Sequence, residues 1–425
     1  MPTSRPVSRI LSRALAGAVL AGAVLTHAVP GSMSALASPA TGQAADPGFD
    51  RFVEGLWPAA RGRGVSRATF EAAFRGVRPD PKIIALTHRQ SEFVRPVWEY
   101  IAGGVSAQRL ARGQAMAEEW RQTLASVERT YGVPREIVLG VWGMETNFGA
   151  VMGRTDIVQS LATLAYTRYR GDFFMTELLA ALEILEKEPP GQAGPRQSRF
   201  PGSRLLGSWA GAMGHTQFMP SSYLAYAVDG NRDGARDIRG SVPDALASTA
   251  NYLRRHGWQP GLPWGFEVRL PQGFDYRNLR QGFSSWAGLG VRRMDGATMP
   301  RTGEATLFLP AGAGGPAFLV TDNYAVIKAY NASDAYAMAV AHLGDRIGGG
   351  RPIEAAWPAH EPSLDRDQRQ EVQQRLLQLG FYRGEPDGKL GSGTREAVRK
   401  FQLHRSLLPD GYADWALLRQ LRTTR

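Results

Sequence analysis

Apolar residues recur at helical spacing through most of the 425-residue chain, and this periodicity constrains the fold more than any other feature. One stripe predicts a helix from Gln108 to Tyr131. The pattern changes between Trp264 and Ile327, where short alternating segments around Gly-rich turns predict a small inserted sheet. Helical spacing returns from Ala335 to Leu343. The chain is therefore expected to be mainly helical, with an α+β large domain.

The first 37 residues have the pattern of a secretory signal peptide. Three arginines precede the apolar run from Ala14 to Leu25, and Ala35 to Ala37 supplies a small-residue cleavage site. An amphipathic helix of the mature fold would need polar residues on one face, and this run has none. The chain has no cysteine, so it offers no thiol for a lipid anchor or a disulfide. The expected product is exported to the periplasm, soluble and without a membrane anchor.

Residues 348–362 contain three consecutive glycines and three prolines and are predicted to be a linker. They divide the chain into a large domain at residues 48–347 and a small one at residues 363–423. Val372, Leu376 and Leu379 form a first apolar stripe in the small domain, and two later Pro-Asp-Gly turns each precede another stretch with helical spacing. We therefore expect three short helices in this second domain.

The charge of the chain favours an acidic polymer as its partner, because 50 Lys and Arg oppose 39 Asp and Glu. Cleavage of the signal removes three arginines and no acid, which lowers the formal charge from +11 to 11 − 3 = +8. Export argues against nucleic acid as the partner. Anionic lipid and the cell wall remain as alternatives.

A carboxylate follows an apolar helix face after Pro134. Val138, Val141, Trp142 and Glu145 are spaced i, i+3, i+4 and i+7, which places Glu145 on the apolar face. Loss of hydration there would raise the pKa of Glu145 and suit it to deliver a proton near neutral pH. Glycosidic bond cleavage uses such a group. The alternative is a solvated glutamate at the fraying end of a helix.

The segment from Gly207 to Ser222 combines small residues with polar and aromatic ones. Small residues allow close backbone approach, while Ser208, Gln217 and the aromatic rings suit a groove that binds sugars. Tight helix packing would explain the same composition.

The segment from Asp229 to Asp237 has the spacing of a calcium loop. Asp229, Asn231 and Asp233 stand at positions 1, 3 and 5, and glycine follows at position 6. Position 12, where a bidentate Glu is expected, is Gly240. A solvated turn rich in Asp and Asn remains the alternative.

Four motifs, in order along the chain, resemble the B-type lytic murein transglycosylase family. They are Gly140 to Gly149, Gly207 to Ser222, Asp244 to Trp258, and Ala329 to Leu343 with its Tyr330-Asn331 and Tyr336. The resemblance implies a lysozyme-like catalytic domain that cleaves the β-1,4 bond between N-acetylmuramic acid and N-acetylglucosamine. It implies that Glu145 protonates the leaving oxygen and then acts as base on the muramoyl 6-hydroxyl, which closes a 1,6-anhydro ring without a cofactor.

The same resemblance assigns further site residues. The groove residues are Ser208, Gln217, Tyr252, Tyr330, Asn331 and Tyr336, and Arg170 is a contact for the peptide stem. A structural Ca²⁺ would be held by Asp229, Asn231, Asp233, Ala235 and Asp244, with Asp237 as the competing choice for the last position. The chain departs from the family where Tyr169 precedes Arg170, because the family often has two arginines there.

The C-terminal residues from Val372 to Gln402 resemble the three-helix peptidoglycan-binding module. The expected protein is a monomer that binds peptidoglycan glycan strands, with other cell-wall enzymes as candidate partners. A muramidase-type hydrolase and a non-catalytic wall-binding protein are the alternative functions. The second carboxylate that a hydrolase needs is missing from both central motifs, and Glu145 argues against a purely binding role.

Overall fold

The computed structural model describes residues 46–89, 96–187, 204–358 and 363–424. The predicted signal peptide lies outside these ranges. None of the helices within them has the length and apolar character that crossing a membrane requires. The described chain forms a large helical domain with an inserted sheet, followed by a small helical module.

The large domain contains a series of helices, and Ser or Asp side chains cap the N-termini of several of them. They are α1 (Pro47–Gly62), α2 (Arg67–Phe74), α3 (Pro81–Arg89), α4 (Val97–Gly104), α5 (Ala107–Glu119), α6 (Arg121–Tyr131), α7 (Arg135–Thr146), α8 (Ile157–Tyr166), α9 (Phe173–Lys187), α10 (Pro220–Tyr226), α11 (Val242–Arg255), α12 (Phe283–Gly288), α13 (Asp322–Tyr330) and α14 (Asp334–Ile347).

The predicted single helix from Gln108 to Tyr131 is wrong, because the chain bends at Trp120. Trp120 has a φ of −101° and a ψ of 20°, outside the helical range, and separates α5 from α6. The bend lets α5 pack against α14 while α6 packs against α11. Apolar spacing continues through Trp120 because both helices face the same core.

The centre of the domain is the antiparallel pair α7 and α14, which approach closely because glycines face the partner backbone. A Cβ on Gly140 would lie 2.2 Å from the carbonyl oxygen of Val340, and one on Gly344 would lie 2.5 Å from that of Glu136. No side chain fits at either position. This pairing brings the end of α7 to the first turn of α14.

Within the described residues, two antiparallel sheets accompany the helices. A short ribbon pairs β1 (Thr155–Asp156) with β2 (Leu206–Gly207). The predicted inserted sheet is confirmed, and its strand order is β4-β6-β7-β3-β5. Its strands are β3 (Gly265–Arg269), β4 (Arg280–Gly282), β5 (Arg292–Arg293), β6 (Glu304–Phe308) and β7 (Ala317–Val320). Pairing of Phe266 with Leu319 places both side chains in a separate small core around Trp286.

The predicted helical C-terminal domain is confirmed by α15 (Arg366–Gln378), α16 (Ser392–His404) and α17 (Trp415–Thr423). Val372, Leu376, Val398, Phe401 and Leu418 are fully buried between the three helices. Gln373 ties the module together, because its amide donates to the carbonyl of Lys389 at 3.0 Å and accepts from Gly388 N at 2.7 Å. The module therefore has its own core.

The segment predicted as a linker lies against the large domain over its described part, residues 348–358. The Glu267 carboxylate accepts the backbone N–H groups of Glu354 and Ala355, both at 2.9 Å. The rings of Trp357 and Trp98 lie 6.1 Å apart. This part of the segment follows the surface of the domain instead of extending from it.

Candidate active site

The C-terminal end of α7 presents Glu145 next to an anchored helix terminus. Trp142 is buried, and its indole N–H donates to Nδ1 of His215 at 3.1 Å. One turn later the Thr146 hydroxyl donates to the His215 carbonyl at 2.5 Å. Asn147 and Phe148 then take left-handed φ values of 50° and 58°, which end the helix. His215 thereby fixes the last turn of α7.

His215 lies within the Gly207 to Ser222 segment, and the sequence analysis assigned it no role of its own. Burial, as the largest effect, lowers the pKa of His215, so the ring is neutral and Nδ1 can accept from the indole. Gly149 leaves room for this ring, since a Cβ there would lie 2.5 Å from the imidazole. The Gly149-His215 packing is a long-range contact, and the local spacing of either motif does not reveal it.

Glu145 is half-buried as a residue, and its carboxyl accepts a hydrogen bond from a tyrosine hydroxyl. The Tyr336 hydroxyl, from the first turn of α14, donates to Glu145 Oε1 at 2.5 Å. Burial raises the pKa of Glu145 to about 8, although the hydrogen bond from Tyr336 acts in the opposite direction. The Tyr336 hydroxyl itself stays protonated, because burial and the Glu145 charge raise its pKa well above the ordinary value. At neutral pH Glu145 therefore holds a proton.

Sequence reasoning did not single out Tyr100, which lies on α4 and faces the same carboxyl. Burial first, and the charge of Glu145 second, raise the pKa of Tyr100 to about 12, while Arg109 acts to lower it. The Arg109 guanidinium donates to the carbonyls of Gly103 and Gly104 at the end of α4. No sequence motif surrounds Tyr100, so only the packing of α4 on α14 identifies it.

The loop between β2 and α10 folds on itself beside Glu145. Ser208 Oγ accepts the N–H of Ala212 at 3.0 Å, and the backbone N–H of Ser208 donates to the Ala212 carbonyl at 2.8 Å. Gln217 has a φ of 53°, and its amide donates to the carbonyls of Gly214 at 2.9 Å and Met152 at 3.3 Å. Both side chains, predicted to hold sugars, also shape the loop that carries them.

Two tyrosine rings pack next to this loop. The Tyr330 hydroxyl donates to the Thr216 carbonyl at 2.6 Å, and the Tyr252 hydroxyl donates to the Ala329 carbonyl at 2.7 Å. The rings of Tyr252 and Tyr330 meet edge to face at 4.9 Å. Asn331 is buried, and its amide oxygen accepts the N–H of Ser333 at 3.0 Å. These predicted groove residues position one another through backbone carbonyls and a helix cap.

Arg170 lies in the exposed turn between α8 and α9. It has a φ of 56°, and its guanidinium lies 5.5 Å from the centre of the Tyr169 ring. The structure thus brings Glu145 together with Tyr336, places the loop that carries Gln217 against the end of α7 through His215, and puts Arg170 in the turn before α9.

The predicted calcium loop is held by hydrogen bonds to its own backbone. Asp229 Oδ2 accepts from Gly234 N at 2.8 Å, and Asp233 Oδ1 accepts from Ala235 N at 2.9 Å. Asp244 is fully buried and closes the loop by accepting from Gly230 N at 2.9 Å and Asp237 N at 2.7 Å. Burial raises the pKa of Asp244.

Within the described ranges, no three acidic or imidazole side chains converge as a metal site. Asp237, the competing choice, caps its own turn by accepting from Gly240 N at 2.7 Å. The loop supplies the hard oxygen atoms that Ca²⁺ prefers, and each carboxylate retains lone pairs beyond these hydrogen bonds. A cation would thus bind to a loop that protein hydrogen bonds already close.

The arrangement around Glu145 suits general acid–base chemistry. A carboxyl with a pKa of about 8 can donate a proton at neutral pH, and the Tyr336 hydroxyl stabilises the carboxylate that remains. In such a reaction charge would develop beside a helix end and a loop that are already fixed, so little reorganisation would accompany it.

Each of the two domains matches a known protein family. Residues 48–345 match the transglycosylase SLT domain family, and residues 365–421 match a peptidoglycan binding domain family. Membrane-bound lytic murein transglycosylase B of Escherichia coli (strain K12) is 35% identical over 250 residues, which is 57% of this chain. The match spans 65% of that relative's length.

Solved structures agree with the match. SltB3 from Pseudomonas aeruginosa, in complex with NAG-anhNAM-pentapeptide, is 44% identical and superimposes with a TM-score of 0.80 over 89% of this chain and 100% of that chain. Slt35 of Escherichia coli, in complex with calcium, is 29% identical, with a TM-score of 0.57 over 71% of this chain and 93% of that chain. Because the family match covers more than half of its length, the chain belongs to the transglycosylase SLT domain family.

Proposed function

We propose that this protein is an exported lytic transglycosylase, which cleaves the β-1,4 bond between N-acetylmuramic acid and N-acetylglucosamine in peptidoglycan. The single observation that carries the proposal is the Glu145 carboxyl, protonated at neutral pH and hydrogen bonded to Tyr336. The match to SltB3, whose solved complex holds NAG-anhNAM-pentapeptide, supports the substrate class.

The proposed reaction begins with transfer of the Glu145 proton to the glycosidic oxygen. The bond from that oxygen to C1 of the muramoyl residue breaks, and C1 takes on positive charge. The Glu145 carboxylate then removes the proton from the muramoyl 6-hydroxyl, whose oxygen attacks C1. A 1,6-anhydro ring forms, no water is consumed, and Glu145 regains its proton. Tyr336 stabilises the carboxylate between these two steps.

Product analysis tests this function. Purified sacculi treated with the mature protein are expected to release muropeptides with 1,6-anhydro ends, which are one water lighter than hydrolytic products and resist borohydride. Mass spectrometry before and after reduction distinguishes the two. Reducible ends from an active preparation would assign the protein as a muramidase-type hydrolase instead, because water would then be the nucleophile.

The C-terminal module is proposed to hold the enzyme on insoluble peptidoglycan. Its match to the peptidoglycan binding domain family and its own buried core support this role. Attachment raises the concentration of the catalytic domain at its polymer. The predicted signal peptide and the basic charge of the chain support a periplasmic, unlipidated protein acting on the wall.

Calcium is proposed to act on stability, with Asp229, Asn231, Asp233, Ala235 and Asp244 holding it. Support comes from the oxygen-rich loop and from the calcium complex of Slt35. Thermal melts in millimolar calcium are expected to show a higher melting temperature than melts in chelator. Asp229→Ala should abolish this difference, whereas Asp275→Ala, at an exposed carboxylate paired with Arg277, should retain it. Identical melts of the wild type would contradict the proposal.

A further inference from the structure

The C-terminal module contacts the start of α14 through Arg395, which lies on α16. One guanidinium nitrogen of Arg395 donates to the Asp334 carboxylate, and another donates to the carbonyl of Leu390 at 3.2 Å. The guanidinium also lies 5.2 Å from the centre of the Phe308 ring. The Arg395 and Asp334 side chains are only 26% and 13% exposed, so solvent screens their attraction weakly.

Asp334 contacts residues of the large domain as well as Arg395 of the C-terminal module. Lys328 Nζ lies 2.8 Å from Asp334 Oδ1, and the Tyr324 hydroxyl donates to the Asp334 carbonyl at 3.1 Å. Burial opposes ionisation of Asp334, but the charges of Arg395 and Lys328 keep its pKa below the ordinary value. The carboxylate is therefore ionised, and Lys328 would still neutralise it without Arg395.

The ion pair lies two residues from the hydrogen-bond partner of Glu145. Ser333 is the N-cap of α14, and its hydroxyl accepts the N–H of Tyr336 at 3.4 Å. Asn331 supports this cap through Ser333 N. Asp334 and Tyr336 thus share one helical turn, whose outer side contacts the module and whose inner side contacts Glu145.

We propose that Arg395 is a positioning residue for the transglycosylase reaction, because its ion pair with Asp334 fixes the first turn of α14 and holds the Tyr336 hydroxyl on the Glu145 carboxyl. The docked wall-binding module then contributes to turnover as well as to attachment. This inference rests on the proposed function.

The direction of the effect follows from the hydrogen bond. A donor on the carboxylate favours its ionised form, so displacement of Tyr336 would raise the pKa of Glu145 further. Glu145 would become a weaker acid, and the carboxylate formed after proton transfer would lose its stabilising partner. Among the described residues, the other ionisable groups on which the Glu145 charge acts are Tyr100 on α4 and Tyr330 on α13, which remain neutral because burial raises their pKa values.

Arg395→Ala in the full-length mature protein tests the proposal with short soluble glycan strands, whose cleavage does not depend on attachment to the wall. Other contacts keep the module docked in this variant, because Arg399 donates to the Tyr276 carbonyl at 2.8 Å and Asp410 accepts from Ala313 N at 3.0 Å. We expect kcat to fall by about three- to tenfold with little change in KM. The alkaline limb of the pH–rate profile should move to higher pH, and Arg395→Lys should restore part of kcat.

Two further variants separate positioning from a general structural effect. Arg419→Ala, at an exposed arginine on α17 of the same module, should behave as the wild type. In a Tyr336→Phe background, Arg395→Ala should cause no additional loss of kcat, because the hydroxyl through which Arg395 acts on Glu145 is already absent. Wild-type kcat and pH profile in Arg395→Ala, or losses that multiply in the double variant, would overturn the inference. The proposed function would still stand as long as wild-type products carry anhydro ends.

Discussion

Glu145→Gln is expected to lower turnover of peptidoglycan by about 10²- to 10⁴-fold or more, because glutamine can neither supply nor accept the catalytic proton. Glutamine has nearly the same volume and keeps a polar atom against the Tyr336 hydroxyl, so α7 should fold unchanged. The measurement is release of muropeptides from purified sacculi, together with sedimentation to confirm that the variant still binds them.

The pH dependence gives this prediction a second readout. With a pKa of about 8, Glu145 loses its proton as the pH rises through that value, so wild-type kcat/KM should fall on the alkaline side. The residual activity of Glu145→Gln should lack this limb.

Glu136→Gln is the matched control, since Glu136 is also partly buried and lies in the first turn of the same helix. It should keep wild-type activity. A fully active Glu145→Gln protein would remove Glu145 from the mechanism.

Local sequence patterns predicted the features that depend on residues close together along the chain. The apolar face before Glu145 correctly indicated a buried helix and a carboxyl with raised pKa, because both follow from spacing along α7. The inserted sheet was predictable from its alternation for the same reason. The break at Trp120 was not, because apolar spacing is equally compatible with one helix or two, and only packing against different partners separates them.

The partners of Glu145 come from distant parts of the chain. Tyr336 is 191 residues away, and His215 reaches α7 across 73 residues. The family resemblance marked Tyr336 as a groove residue, but its contact with the carboxyl depends on how closely α14 approaches α7. No spacing rule predicts that approach, although the glycines on both helices are the feature that permits it.

Gly140→Ala is expected to force α7 and α14 apart and to lower both stability and activity. Its methyl group would lie 2.2 Å from the Val340 carbonyl oxygen, a backbone atom that cannot move without shifting α14. Overpacking of this kind costs about 1–3 kcal/mol of unfolding free energy. The same displacement would lengthen the contact between Tyr336 and Glu145, so turnover should fall as well.

The control is Gly55→Ala, because a Cβ on Gly55 meets no atom within 4 Å and the residue lies inside α1. Alanine has the higher helix propensity and restricts the unfolded chain, so this variant should gain about 0.5–1 kcal/mol and keep full activity. Calorimetric melting temperatures should therefore shift in opposite directions for two chemically identical substitutions. If both variants melted above the wild type, α7 and α14 would have room to separate, and close glycine packing could not be what holds Tyr336 against Glu145.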